Sequence, residues 1–184
     1  SRAIVAEVSP ELLAAQRDFF APFMAAPLHA MIRFGKWDDI LKEPQPDSQL
    51  PMTLAIWHYA RGIAYAATNQ IDAAEAEYVA FGDIKPSIPD TSMLHNNSSS
   101  AIIEIADAML QGEIAYRKQQ YDQAFELLRQ AVRLDDSLNY DEPWGWMQPA
   151  RHALGALLLE QKQYAEAETV FREDLRRHPK NVWA

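Results

Sequence analysis

Cysteine is absent from the 184 residues, so neither a disulfide frame nor a thiolate metal site can form. Glycine is scarce, at six, and no G-x-S-x-G, G-x-x-x-x-G-K-[ST] or other Gly-rich phosphate loop occurs. Basic residues are few as well. Seventeen Lys plus Arg stand against 26 Asp plus Glu, giving a net charge of -9. An acidic chain without a basic stripe repels a phosphate backbone, which argues against a nucleic-acid partner. No apolar run approaches the roughly 20 residues of a membrane span, so no membrane insertion is expected. The opening SRAIVAEVSP lacks the basic-then-apolar form of a signal peptide, and it does not begin with Met. Cytoplasm and periplasm are both compatible with these features.

Most of the apolar pattern that remains has helical period, and no alternating β-branched run predicts a sheet. Ser9-Pro10-Glu11 reads as an N-cap, N1 proline and first-turn acid for a helix running to about Phe20. Four stretches align: FGKWDDIL (34–41), TNQIDAAEAEY (68–78), KQQYDQAFELL (118–128) and QKQYAEAETVF (161–171). Each sets a large residue (Trp37, Ile71, Tyr121, Tyr164) three before a smaller or aliphatic one (Ile40, Ala74, Ala124, Ala167). The last three add a bulky residue four later (Tyr78, Leu128, Phe171) and follow a helical stretch with a glycine (Gly62, Gly112, Gly155). Small residues of this kind suit close helix crossings, and the aromatics suit the gap between hairpins.

This pattern resembles the tetratricopeptide repeat, a helix-turn-helix unit of about 34 residues. The last copy matches best, with Leu154-Gly155, Tyr164, Ala167, Phe171 and Pro179, although Asp174 stands where a small residue is usual. The resemblance implies an all-α, right-handed solenoid over 1–184. It comprises a degenerate hairpin at 21–44, repeats at 55–86, 101–136 and 148–181, and inserted loops at 87–100 and 137–147. The insertions follow from spacing. Trp37 to Ile71 is 34 residues, Ile71 to Tyr121 is 50, and Tyr121 to Tyr164 is 43. Most of residues 25–184 also resembles the C-terminal part of a group of long bacterial tetratricopeptide proteins, whose upstream repeats are rich in paired His. That likeness implies architecture. Val182-Trp183-Ala184 would begin a further repeat with no polar-faced capping helix, which predicts that this chain is a piece of a longer array.

In this family the first helix of each repeat lines a concave groove that binds peptides. The register places His29, Ile32 and Arg33 on that face. It adds Tyr59 and Ile63, then Met109, Glu113, Tyr116 and Arg117, then His152, Ala156, Leu159 and Glu160. The positions that clamp a carboxylate tail in some relatives with Lys and Asn hold Tyr59, Ile63, Met109 and Glu113, so such capture is not expected. The aromatic insertion NYDEPWGWMQP (139–149) has two readings. It covers the apolar edge between two repeats, or it folds over the concave mouth with Tyr140, Asp141, Glu142, Trp144 and Trp146 as a wall beside His152.

No HxxxH or HExxH pair predicts a metal site. His58 reads as a packed core residue, and Asp38-Asp39 and Asp135-Asp136 read as solvated helix-end acids. Ser98-Ser99-Ser100 reads as the start of a helix at Ala101. The sequence therefore predicts a non-enzymatic, cofactor-free scaffold that binds a protein or peptide segment. Two alternatives are an accessory domain of a larger metal-binding or enzymatic protein, and homo-oligomers formed through uncapped, apolar repeat ends.

Overall fold

The computed structural model describes residues 9–142 and 145–182. Helices account for nearly all of the regular structure: α1 (Pro10–Ala15), α2 (Arg17–Met24), α3 (Ala26–Arg33), α4 (Trp37–Leu41), α5 (Pro51–Ala67), α6 (Ile71–Ile84), α7 (Ser99–Arg117), α8 (Tyr121–Asp136), α9 (Ala150–Glu160) and α10 (Tyr164–Arg177). The Ser9 hydroxyl accepts from the Leu12 N–H and starts α1. That helix does not run on to Phe20. Gln16 leaves helical geometry at φ -132, and α2 restarts after it with Pro22 inside.

The recurrence in sequence becomes a recurrence in backbone geometry. Gly35, Asn69, Gln119 and Lys162 all take positive φ, each two residues before a second helix begins. In every case the following N–H reaches back across the turn: Lys36 to Met31 O, Gln70 to Tyr65 O, Gln120 to Ala115 O and Gln163 to Leu158 O, at 2.8–2.9 Å. This six-to-one bond is the Schellman closure of a helix. Only Gly35 occupies the left-handed region without a Cβ penalty. Lys162→Gly is therefore expected to stabilise the chain by about 0.5–1 kcal/mol. Urea denaturation would show this as a higher midpoint, and an unchanged midpoint would mean that the turn is unstrained.

Helices α5/α6, α7/α8 and α9/α10 form antiparallel pairs, α7 packs across α5, and α9 packs across α8. Glycines mark the tightest approaches. A Cβ on Gly112 would meet the Leu128 side chain at 2.9 Å, and one on Gly155 would meet the Phe171 ring at 2.5 Å. Gly62 differs, because it faces Leu110 of the following pair rather than its own partner helix. One core runs from Ala21 to Ala150, centred on α5 and α7. A second holds Tyr116, Phe125, Leu128, Leu154 and Leu158.

Several expectations need correction. The first insertion contains a two-residue antiparallel ladder, Met93↔Ser98 and Leu94↔Asn97, where no sheet was expected. The cap of α7 is Ser98, and the helix starts at Ser99. His58 is not simply packed: its Nδ1 meets Glu77 Oε2 at 2.6 Å, and Arg61 shares that carboxylate. The exposed face of α10 is mixed rather than apolar. Glu168 stands four residues after Tyr164, as the buried Phe125 stands after Tyr121, and it pairs with Arg172 at 2.7 Å.

Candidate functional site

Helices α3, α5, α7 and α9 line one cavity, and Trp146 and Gln148 of the second insertion pack beside it against α3, α5 and α7. Trp146 is 1% exposed. Its ring meets His29 edge-on at 5.2 Å and Tyr59 at 5.4 Å, and its indole N–H points to the Met109 sulfur at 3.0 Å. Two residues on, the Gln148 side chain bridges the same helices. The Tyr59 hydroxyl donates to its Oε1 at 2.9 Å, and its amide donates to His29 Nδ1 at 3.0 Å. Nδ1 must then be an acceptor, so His29 is neutral with its proton on Nε2. Burial pushes the His29 imidazole down to about 4. Burial, with Glu113 as a lesser cause, raises the Tyr59 phenol.

The insertion is held from both ends. Asn97 donates to Asp141 Oδ2 at 2.6 Å and to Asn139 O at 3.0 Å, and the Asn139 N–H returns to Asn97 Oδ1 at 2.7 Å. Asn96 adds bonds to Asp141 and to Tyr140 O. The two insertions are thus laced to each other. At the far end Asp135 accepts from the Ala150 N–H and caps α9, while Arg151 makes a paired bond to Asp136. These acids were expected to be solvated. Instead burial pushes Asp135 up to about 6, reinforced by the neighbouring Asp136 and Asp174 charges.

The cavity itself is open and has a volume of about 370 Å³. Ile32, Trp37, Ile63, Ala156 and Leu157 make its apolar wall, and Arg33, Glu113, Arg117 and His152 its polar one. Arg117 pairs with Glu113 at 2.8 Å, one turn earlier on α7. Arg33 lies 3.1 Å from His152 Nδ1, and His152 Nε2 lies 3.2 Å from Asp174 Oδ2. A guanidinium can only donate, so Nδ1 accepts and the Nε2 proton points to Asp174. Burial, the largest influence, lowers the His152 imidazole against the opposing pull of Asp174. Asp174 is 1% exposed where a small residue is usual, and its burial is explained by bonds from His152 and from Asn181 at 2.7 Å.

Arg33, Tyr59, Ile63, Met109, Glu113, Arg117 and His152 are thus brought to one cavity. His29 lies under Trp146 instead. Tyr116 is a packing residue of the second core, against Tyr121 and Phe125, with its hydroxyl accepting from Gln161. Leu159 and Glu160 are exposed and lie outside the cavity wall, although Glu160 reaches Arg117 at 4.0 Å. Of the expected loop wall, only Trp146 touches the inner face among the described residues. Asp141 is turned into the loop–loop lace, Tyr140 is 75% exposed and bonds Glu142, and Trp144 lies outside the described residues. Gln148 and Asp174 were missed. The sequence signals for them were an amide two residues after a tryptophan and an acid at a small-residue position.

Among the described residues no group of three His, Cys, Asp or Glu is placed to hold a metal ion. None of their helices is long and apolar enough to cross a membrane. Comparison with curated proteins and with solved structures returned no match. The family model of the tetratricopeptide repeat matches residues 109–137, which span the end of α7, its turn and all of α8. Repeats of this class are in general protein–protein interaction units. With the same turn recurring at Gly35, Asn69, Gln119 and Lys162, the described residues form an all-α, tetratricopeptide-like helical repeat fold.

Proposed function

We propose that this chain is a non-enzymatic interaction module that seats a short segment of a protein partner in the open half of its concave groove. The observation that carries this reading is the convergence of α3, α5, α7 and α9 on one cavity with an apolar wall and a polar one. At about 370 Å³ it is near the lower end of ligand-pocket sizes, so it suits one or two anchoring side chains rather than a long extended peptide. The Glu113–Arg117 pair and Arg33 supply directional polar contacts at its rim. The His152–Asp174 contact supports binding rather than proton transfer. One ring nitrogen faces Arg33 and the other faces Asp174, so neither is presented to a ligand.

Ala156 lines the cavity, and an arginine there would fill it. Peptides selected by display on the wild-type chain are expected to bind Ala156→Arg at least about tenfold more weakly, the cost of blocking one anchor pocket. Titration calorimetry on both proteins measures this. Equal affinities would place the binding surface elsewhere.

A further inference from the structure

The residues that fill the other half of the groove come from the chain itself, and their contacts resemble those of a bound ligand. Trp146 presents an aromatic ring to His29 and Tyr59 and its N–H to Met109. Gln148 satisfies two polar groups that would otherwise be buried without partners, the Tyr59 hydroxyl and His29 Nδ1. Trp146 lies in the inserted loop and Gln148 at its junction with the last repeat, both before the first residue of α9. The helices therefore provide an aromatic socket beside a paired donor and acceptor, spaced for side chains two positions apart.

We infer that the inner face between α3, α5 and α7 is a recognition subsite for a peptide segment carrying an aromatic residue and, two positions later, a side-chain amide. Residues 145–149 are its built-in competitor. This deepens the groove reading above and rests on it: the partner segment would lie across both halves, anchored in the open cavity and displacing Trp146 and Gln148. A tethered competitor acts at an effective concentration on the order of millimolar, so it masks the subsite from any weaker ligand in solution. The lace of Asn97, Asn139 and Asp141 sets how firmly the competitor is held.

The test uses a labelled pentapeptide, Gly-Trp-Met-Gln-Pro, blocked at both ends and followed by fluorescence anisotropy. The full chain carrying Trp146→Ala with Gln148→Ala is expected to bind it at least about tenfold more tightly than wild type, because the tethered competitor is gone. Probes with alanine for the tryptophan or the glutamine should lose that gain. A folded double variant that binds no better than wild type overturns the inference. If the double variant does not fold, Asp141→Ala decides the matter. It leaves both competing side chains in place but loosens their hold, so probe binding should rise above wild type, and equal binding overturns the inference. Two probes separate the readings. Display-selected peptides on Ala156→Arg report the open cavity, and the pentapeptide reports the subsite, so failure of the pentapeptide alone overturns this inference and leaves the open-cavity reading standing.

Discussion

Trp146→Ala is expected to destabilise the chain by about 3–5 kcal/mol, the usual cost of removing a fully buried large aromatic. The indole is enclosed by α3, α5 and α7, which already hold one another through the main core, so the space it leaves would persist as a cavity. That loss is a large share of a typical folding free energy of about 5–15 kcal/mol. Tyr140→Ala, in the same insertion, is the control, since a 75% exposed side chain should cost no more than about 0.5 kcal/mol. Urea unfolding followed by circular dichroism distinguishes the two. If Trp146→Ala costs as little as Tyr140→Ala, the insertion is not part of the core.

The second large effect is a pair of titrations that oppose each other. His29 falls from an ordinary 6.5 to about 4 in the fold. Between those values the unfolded chain binds the proton and the folded chain does not. Its contribution is complete above 6.5 and is lost as pH falls toward 4, by about 3 kcal/mol. His152 is depressed in the same direction. Asp135 rises from 3.8 to about 6, so below 6 the folded chain binds the proton first. Acidification from 6 to 3.8 therefore relieves a cost of about 3 kcal/mol. The two nearly cancel in the wild type, and single variants should expose them. His29→Gln should gain stability over wild type as pH falls from 7 to 4, and Asp135→Asn should lose it, by about 3 kcal/mol each. Urea midpoints at pH 7, 5.5 and 4 measure both. Variants whose midpoints run parallel to wild type across that range would show that neither group titrates abnormally.

Much of the architecture was legible because it is written in local chemistry. The large, small and bulky positions after Trp37, Ile71, Tyr121 and Tyr164 recur with helical spacing, and a turn that closes with a left-handed residue lies just before each. The inner-face register came from the resemblance to the repeat family, and helical period then carried it along each first helix. Arg33, Ile63, Glu113, Arg117 and His152 reach one cavity from four helices on that basis. Reading failed where a contact joins segments far apart in sequence. His29 and Gln148 are 119 residues apart, and Asn97 and Asp141 are 44 apart. No local pattern encodes such partners. Tyr116 was misplaced because a helix position near the groove edge can turn either way, and Tyr121 and Phe125 drew it into the second core.

The sequence by itself determined the helical repeat and its hairpin turns, because period and turn chemistry are local. Only the tertiary structure decided which side the aromatic insertion covers. Trp146 lies on the inner face because three helices leave a socket there with a methionine sulfur, a neutral imidazole and a phenol to satisfy. The lace between the two insertions and the Asp135 cap of α9 hold the segment over that socket. Burial of the ring and pairing of the buried polar groups together outweigh leaving an aromatic loop in water.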